Sequence, residues 1–335
     1  MGTAAARKNR GSRATGQAAR QKQARCEAET WAPELVSLLE QVTAGAPVNL
    51  ESCVAVPLHR TQQENLGAVL LEEALDQGVT TVEEVSEEGD VPFLRVKHRG
   101  FDPLLLVDGE QVLGGKQNRI FNASMLVLPG VVAEVPVSCV ESGRWERSRA
   151  DFVAAGSTLH SSARAQKLAS VAQEVASTGL YDADQGRVWD DVAEFLGEAD
   201  AHNATFAYQV GVAKRSKERE HLLEQLEPQR GQIGMAVVRG RKLLCLDLFG
   251  SSGLYARAWE KIARGILAGA MPNPVNCPGA PTTVRKALER VLNAKGKRQI
   301  PAPGCGDTLH GRTGSLVVGA VAHEGAVYHA AVASV

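Results

Sequence analysis

Apolar and polar positions along this chain change period once. Over residues 47–146 they alternate with a period near two, and past Arg149 the period lengthens to that of a helix. Ahead of the alternating region, residues 28–44 predict a short helix with Pro33 near its start. Residues 47–59 predict a strand, Thr61–Gly67 a polar loop, and Val69–Leu75 fits either helix or strand. Residues 78–100 hold two β-branched runs around the acidic turn Ser86–Asp90, a hairpin pattern. In Val131–Val140 one face carries Val131, Ala133, Val135, Val137 and Cys139, the other Val132, Glu134, Pro136 and Ser138. Proline cannot donate to a β ladder, so Pro136 predicts an edge strand or a kink.

Beyond Arg149, Ala165, Leu168, Ala169, Ala172, Val175 and Ala176 form a helical stripe stopped by Gly179. A second helix uses Val188, Val192, Phe195 and Leu196, and a third, highly charged, covers about 203–226 and ends before Pro228. A hairpin turns at Arg239-Gly240-Arg241. Ser251 or Ser252 caps a helix striped by Tyr255, Trp259, Ile262 and Ile266. After a Pro/Gly-rich loop at 271–281 come a helix at Thr282–Asn293 and a last hairpin turning at His323-Glu324-Gly325. Strands on both sides of the helices make the class α+β. The expected organisation is one domain over 28–335, strand-rich at 45–150 as an antiparallel sandwich or barrel-like sheet, with helices and further hairpins at 151–335.

Composition adds one asymmetry. Apolar residues make up 44%, charged residues 22%, and the net charge is -1, giving no global attraction to nucleic acid or anionic membrane. Residues 1–25 nevertheless carry seven Lys/Arg and no Asp or Glu. With few apolar side chains to offset ordering entropy, residues 1–27 are expected to be a disordered basic tail. It is either a solvated tail or an arm that binds nucleic acid nonspecifically. No apolar run is long enough for a membrane span, there is no signal-peptide h-region, and six scattered cysteines predict reduced thiols, so the expected location is cytoplasmic.

Candidate chemistry concentrates in two loops of Phe101–Glu146. The first holds Asp108, Glu110, Lys116, Gln117, Asn118 and Arg119; the second holds Glu141, Arg144 and Trp145. GEQVLGGK at 109–116 is not a phosphate loop: its spacing is one residue too long, and Gln117 stands where Ser or Thr would hold magnesium. Its glycines and the charges of Lys116 and Arg119 still suit an anion; a glycine-rich hairpin with solvated charges is the plainer alternative. Cys139 and Arg144 are one residue too close for a phosphatase-type loop, and Cys139 shares the apolar face, so a buried structural thiol is favoured. The eight histidines show no metal-binding spacing; His310, His323 and His329 could meet through the C-terminal hairpin, but turn or surface histidines are the plainer reading, no metal ligand is assigned, and the cofactor is left open.

The run VPFLRVKHRGFDPLLLVDGEQVLGGKQNRIFNASMLVLPG, with PVSCVESGRW, RAQKL, DQGRVWDDV and the G-x-D-x-F-like element around Leu246–Phe249, resembles a bacterial and archaeal domain family. That family is named for association with ADP-ribosylglycohydrolases and rhodanese-phosphatases. The resemblance implies a link to ADP-ribose, NAD-derived or nucleotide metabolism and supplies no catalytic set. The reading that follows is a protein binding a small anionic, nucleotide-derived ligand. Lys116, Arg119 and Arg144 would contact phosphate, Gln117 and Asn118 would read ribose or base edges, and Trp145 would stack. With turnover, Asp108, Glu110 and Glu141 would be the acid–base or hydroxyl-binding groups. A hydrolase on an ADP-ribose-like or phosphate-containing substrate requires those three carboxylates to converge in a cleft. A noncatalytic assembly module with a nucleic-acid-binding tail requires a flat apolar surface instead.

Overall fold

Strands from both ends of the chain share one antiparallel sheet in the computed structural model, which describes residues 29–61, 65–87, 89–270, 273–299, 301 and 304–335. Across it run Glu29–Thr30, Lys295–Gln299, Asp307–Thr313, Leu316–His323, Ala326–Ser334, Lys242–Phe249, Gln232–Arg239, Cys53–Arg60 and Val42–Ala44. Val48–Leu50 also pairs with Cys53–Arg60. The expected basic tail lies outside the described residues.

Helices cover both faces of this sheet. On one side lie α1 (Pro33–Glu40) and α8 (Ala280–Leu292), packing Leu35, Leu38, Val284, Leu288 and Val291 onto Val56, Ala236, Leu246 and Val318. On the other lie α3 (Ser161–Ser177) and α7 (Ser252–Ala268), packing Leu168, Tyr255, Ala258, Ile262 and Ile266 onto Met235, Phe249, Val317 and Val321. A sheet buried on both faces needs apolar side chains at nearly every position, which is why LVVGAVAH and AVYHAAVAS read as continuous apolar runs.

A second, barrel-like unit holds the rest of the strand-rich region. Val153–Thr158, Glu110–Leu113, Arg119–Phe121, Val132–Cys139, Phe93–His98 and Thr80–Glu84 form six strands, and Met125–Val127, Leu104–Leu106 and Val69–Leu70 form three more. Between them Val82, Leu94, Val96, Leu104, Phe121 and Val135 make a separate core. The short α2 (Leu71–Asp76) follows Val69–Leu70 directly, so the ambiguous stretch is strand and then helix. Helices α4 (Gln185–Glu198) and α5 (Tyr208–Glu218) cover the outer side of Ile120 and Val140 with Phe195, Leu196, Tyr208 and Val212.

Several expected elements differ. The strand at 47–59 is a hairpin: Leu50 pairs with Cys53, and Glu51 takes a left-handed conformation at φ 52° to turn it. Pro136 is on an internal strand. Val132–Pro136 pairs with Phe93–Lys97, and Val137–Cys139 with Arg119–Phe121, so the proline sits where the strand changes partners. The charged helix at 203–226 is three pieces, α5, α6 (Glu220–Leu223) and a 3-10 turn at Glu224–Leu226. The two strands Lys295–Gln299 and Asp307–Thr313 were not expected at all.

Candidate functional site

The two polar loops meet. Arg119 pairs with Val112 on one side and Cys139 on the other, so Gly114–Asn118 and Glu141–Glu146 leave the sheet at the same end. Arg144 ties them together. Its guanidinium donates to the Gly115 and Glu146 carbonyls at 2.7 and 2.8 Å, to Gly114 O at 3.2 Å, to Asn118 Oδ1 at 3.3 Å and to Glu141 Oε2 at 2.6 Å. Glu141 also accepts from the Asn118 N–H at 3.1 Å and Thr205 Oγ1 at 2.8 Å. These hydrogen bonds outweigh burial and hold its carboxyl below the usual range. Gln117 Oε1 accepts from Arg119 Nη1 at 3.0 Å. Gly115 is required: at φ +48°, a Cβ would lie 2.3 Å from Phe152 and 2.5 Å from Glu84.

Gln117, Asn118, Glu141 and Arg144 thus spend polar groups on the loops themselves, whereas the buried Arg119 keeps Nε and Nη2 without a hydrogen-bond partner among the described residues, with Nη2 4.0 Å from Glu84. Trp145 is the half-exposed member, with Lys116 Nζ 5.3 Å and Arg119 Cζ 5.9 Å from its ring centroid. Cys139 lies buried beside Arg119, and burial pushes its thiol up, away from a nucleophilic thiolate.

Asp108 belongs to a different cluster, sealed between the two sheets. Arg164 of α3 donates from Nε to Asp108 Oδ2 at 2.7 Å and from both terminal nitrogens to Asp247 at 2.6 and 2.9 Å. Lys167, one turn on, donates to Asp108 Oδ1 and to the Phe121 and Asn122 carbonyls. Asp247 lies 3.1 Å from His329 Nε2, His329 Nδ1 lies 2.7 Å from Ser124 Oγ, and Ser124 accepts from the Asp108 N–H at 2.8 Å. The ring closes on itself. Burial alone would raise Asp247, but Arg164 and His329 pull it down to about 2. An ionised Asp247 accepts from Nε2–H, leaving Nδ1 to accept the Ser124 hydroxyl proton. Ser–His–Asp connectivity is therefore present, yet Asp247 and His329 are wholly buried and the serine nearly so, and Arg164 occupies both carboxylate oxygens. The ring is closed and lies away from solvent.

Glu110 forms a third cluster. Lys261 of α7 reaches Glu110 Oε1 and Glu72 Oε2, each at 2.5 Å, and Glu110 Oε2 accepts from the Val107 N–H at 3.0 Å. Burial and Glu72 push the Glu110 carboxyl up to about 7 against the pull of Lys261. Asp108, Glu110 and Glu141 therefore do not converge: each has its own cation, from α3, α7 and the second loop respectively. The reason is the pleat and register. Glu110 lies one residue beyond the Gln111–Ile120 pair, at the opposite end of this short pairing from the Asn118 backbone that holds Glu141.

The Glu110 cluster differs from the ring in opening onto a cleft. About 350 Å³ of space lies between α2, α5, α7 and the segment Ala155–Ser157. Lys261 is at its floor, and Arg257, Arg264, Glu72, Glu73 and Glu260 line its sides. The segment Ala155–Ser157 is a bulge: Ala154 pairs with Val112 and Thr158 with Glu110, leaving three residues opposite Gln111. Ser157 Oγ and Gln209 Oε1, both lining the cleft, are buried and have no hydrogen-bond partner among the described residues; the same holds for both amide atoms of Gln111. Buried polar atoms are nearly always paired, so these are exceptions, as are Arg119 Nε and Nη2 and Glu84 Oε2 at the loop cluster.

Sequence reasoning missed Arg164, Lys167, Lys261, Ser157 and Gln209. A signal existed for the cations: Arg164 and Lys167 flank the apolar Ala165 and Leu168, and Lys261 adjoins Ile262 and lies one turn from Ala258. No group of three or more potential metal ligands gathers among the described residues.

Set against known families, residues 41–333 match the ARG and Rhodanese-Phosphatase-superfamily-associated Protein domain. The chain belongs to that family. The matched span takes in the loop cluster, the cleft and every strand of the sheets except Glu29–Thr30, so all three charged clusters lie within the family domain. No curated protein and no solved structure matches the chain. No helix among the described residues is long and apolar enough to cross a membrane.

Proposed function

We propose that this protein binds a small anionic, hydroxyl-bearing ligand derived from a nucleotide, of the ADP-ribose kind, with its ribose-phosphate portion in the cleft over Lys261. The observation that carries the reading is the pair of unpartnered buried atoms lining that cleft, Ser157 Oγ and Gln209 Oε1. Gln209 Oε1 can only accept, so it calls for a ligand donor such as a ribose hydroxyl, and Ser157 can donate or accept. Phosphate finds Lys261 at the floor and Arg264 at the rim. Arg264's partners Glu260 and Glu220 are both largely exposed, so those ion pairs are weak and a phosphate replaces them at little cost. A volume of about 350 Å³ suits part of a dinucleotide-sized ligand. The association with ADP-ribosylglycohydrolases in the family description points to the same ligand class.

Binding is favoured over turnover because Glu110, whose carboxyl burial pushes up to about 7, is paired to Lys261 and does not itself line the cleft. The phosphate contacts expected at Lys116, Arg119 and Arg144 move in this reading to Lys261 and Arg264. The test is a thermal-shift titration of the full chain with ADP-ribose, ribose 5-phosphate and adenosine. ADP-ribose and ribose 5-phosphate should raise Tm by mass action, adenosine should not, and Ser157→Ala with Arg264→Ala should abolish the shift. A shift that survives in that variant and is lost in Lys116→Ala/Trp145→Ala would transfer the site to the loop cluster.

A further inference from the structure

A groove separate from the cleft collects positive charge. Helix α8 and the turn of the hairpin Gln232–Phe249 face one another across about 710 Å³ of space. Arg241 and Lys242 stand on one bank, and Lys286 and Arg290, one helical turn apart, on the other. Thr282, Thr283, Ser315 and Ser334 supply hydroxyls around a floor of Leu243, Ala287 and Leu316. No carboxylate lines the groove.

Arg241, Lys242 and Lys286 form no ion pair among the described residues, and all three are exposed. Arg290 gives one N–H to the Thr313 carbonyl at 3.3 Å and keeps its other donors. Glu289, the one acidic residue of α8, pairs with Arg285 at 3.6 Å. The contrast with the cleft is direct: there Arg257, Lys261 and Arg264 each have a carboxylate within 2.7 Å. In a chain of net charge -1, four cations around one concavity with no acid among them produce a local positive potential that the rest of the surface does not cancel.

We infer that this groove is a second binding site, for a small molecule carrying two or more phosphates. The cations stand in two pairs on facing banks, and a chain of phosphates offers an anionic group to each pair. The concave shape, closed by the turn at Thr313–Leu316, suits a compact ligand more than an extended strand, and its volume lies within the ordinary range for ligand sites, roughly 300–1,000 Å³. The site is independent of the ligand proposed for the cleft, since the two share no residue.

The experiment is calorimetric titration of the full chain with inorganic tripolyphosphate at two ionic strengths. The wild type should bind, with affinity falling steeply as salt rises. Arg241→Glu/Lys286→Glu, at two exposed positions, should keep its Tm and weaken binding by about a hundredfold, since two charge-assisted contacts become repulsive. If that variant loses its fold, Arg241→Gln/Lys286→Gln gives the same readout, with an expected loss of about tenfold. Absence of tripolyphosphate binding overturns the inference. Binding unchanged in the variants also overturns it, by placing the polyanion elsewhere, such as the basic residues 1–25. A single-stranded oligonucleotide that binds more tightly than tripolyphosphate, and is lost in the same variant, overturns the small-ligand reading in favour of a nucleic-acid surface.

Discussion

Two buried charged clusters lie on either side of the turn at Asp108–Glu110, and they are finished differently. In the ring around Asp247, every charged oxygen and nitrogen has a partner, and the ring returns to its start through His329 and Ser124. Around Lys261 the ion pairs are as short, but the neighbouring Ser157 Oγ and Gln209 Oε1 are left unpartnered beside open space. Lys261 and Glu110 are as buried as the ring, and the two clusters differ in how completely their polar neighbours are paired. A closed network fixes one packing arrangement between the two sheets, whereas an open one keeps donors and acceptors in reserve.

The sharpest way to break the comparison is Asp247→Ala. It leaves Arg164 half-paired in a dry interior, and urea denaturation should show a loss of about 3–5 kcal/mol, the usual cost of removing one partner of a buried pair. Lys261→Met should cost less, about 2–3 kcal/mol at neutral pH, because Glu110, already near 7, takes up a proton once its cation is gone. That loss should shrink as pH is lowered. A Lys261→Met loss equal to that of Asp247→Ala and flat with pH would erase the distinction.

The wild-type pH profile separates the clusters by sign. Glu110 has a folded pKa of about 7, above its ordinary 4.5, so its contribution to stability is complete below 4.5 and is lost as pH rises through 7. Asp247, lowered from 3.8 to about 2, contributes fully above 3.8 and loses that contribution as pH falls toward 2. Denaturation midpoints measured across pH 2–8 should thus fall at both ends, and Glu110→Gln should flatten the upper limb alone.

Smaller effects sharpen the same contrast. Ser124→Ala opens the ring and should cost about 1–3 kcal/mol, because the buried Asp108 N–H and His329 Nδ1 lose their partner. Ser157→Ala deletes an unpaired hydroxyl, so stability should stay within about 0.5 kcal/mol while the ADP-ribose response falls. Trp145→Ala, at a half-exposed ring beside Lys116, should cost at most about 1 kcal/mol.

The sequence by itself determined the local elements with strong period and punctuation. The hairpins at Gly240 and Glu324-Gly325, the Ser251 cap and the helix ended by Gly179 all rest on contacts between near neighbours. It also carried the family resemblance in an uninterrupted motif, whereas the meeting of the two polar loops needed Val132–Cys139 to pair with Arg119–Phe121 past the intervening strand Met125–Val127. Tertiary structure decided the rest. Residues 53–60 join strands some 180 positions later in the chain, a pairing that alternation cannot specify. Asp108 and Glu110 look alike in the sequence, two apart in one turn; only the arrival of α3 over one and α7 over the other gives the first a sealed ring and the second an open cleft. Ser157 and Gln209 became conspicuous for what fails to reach them, a property that exists only once the chain is packed.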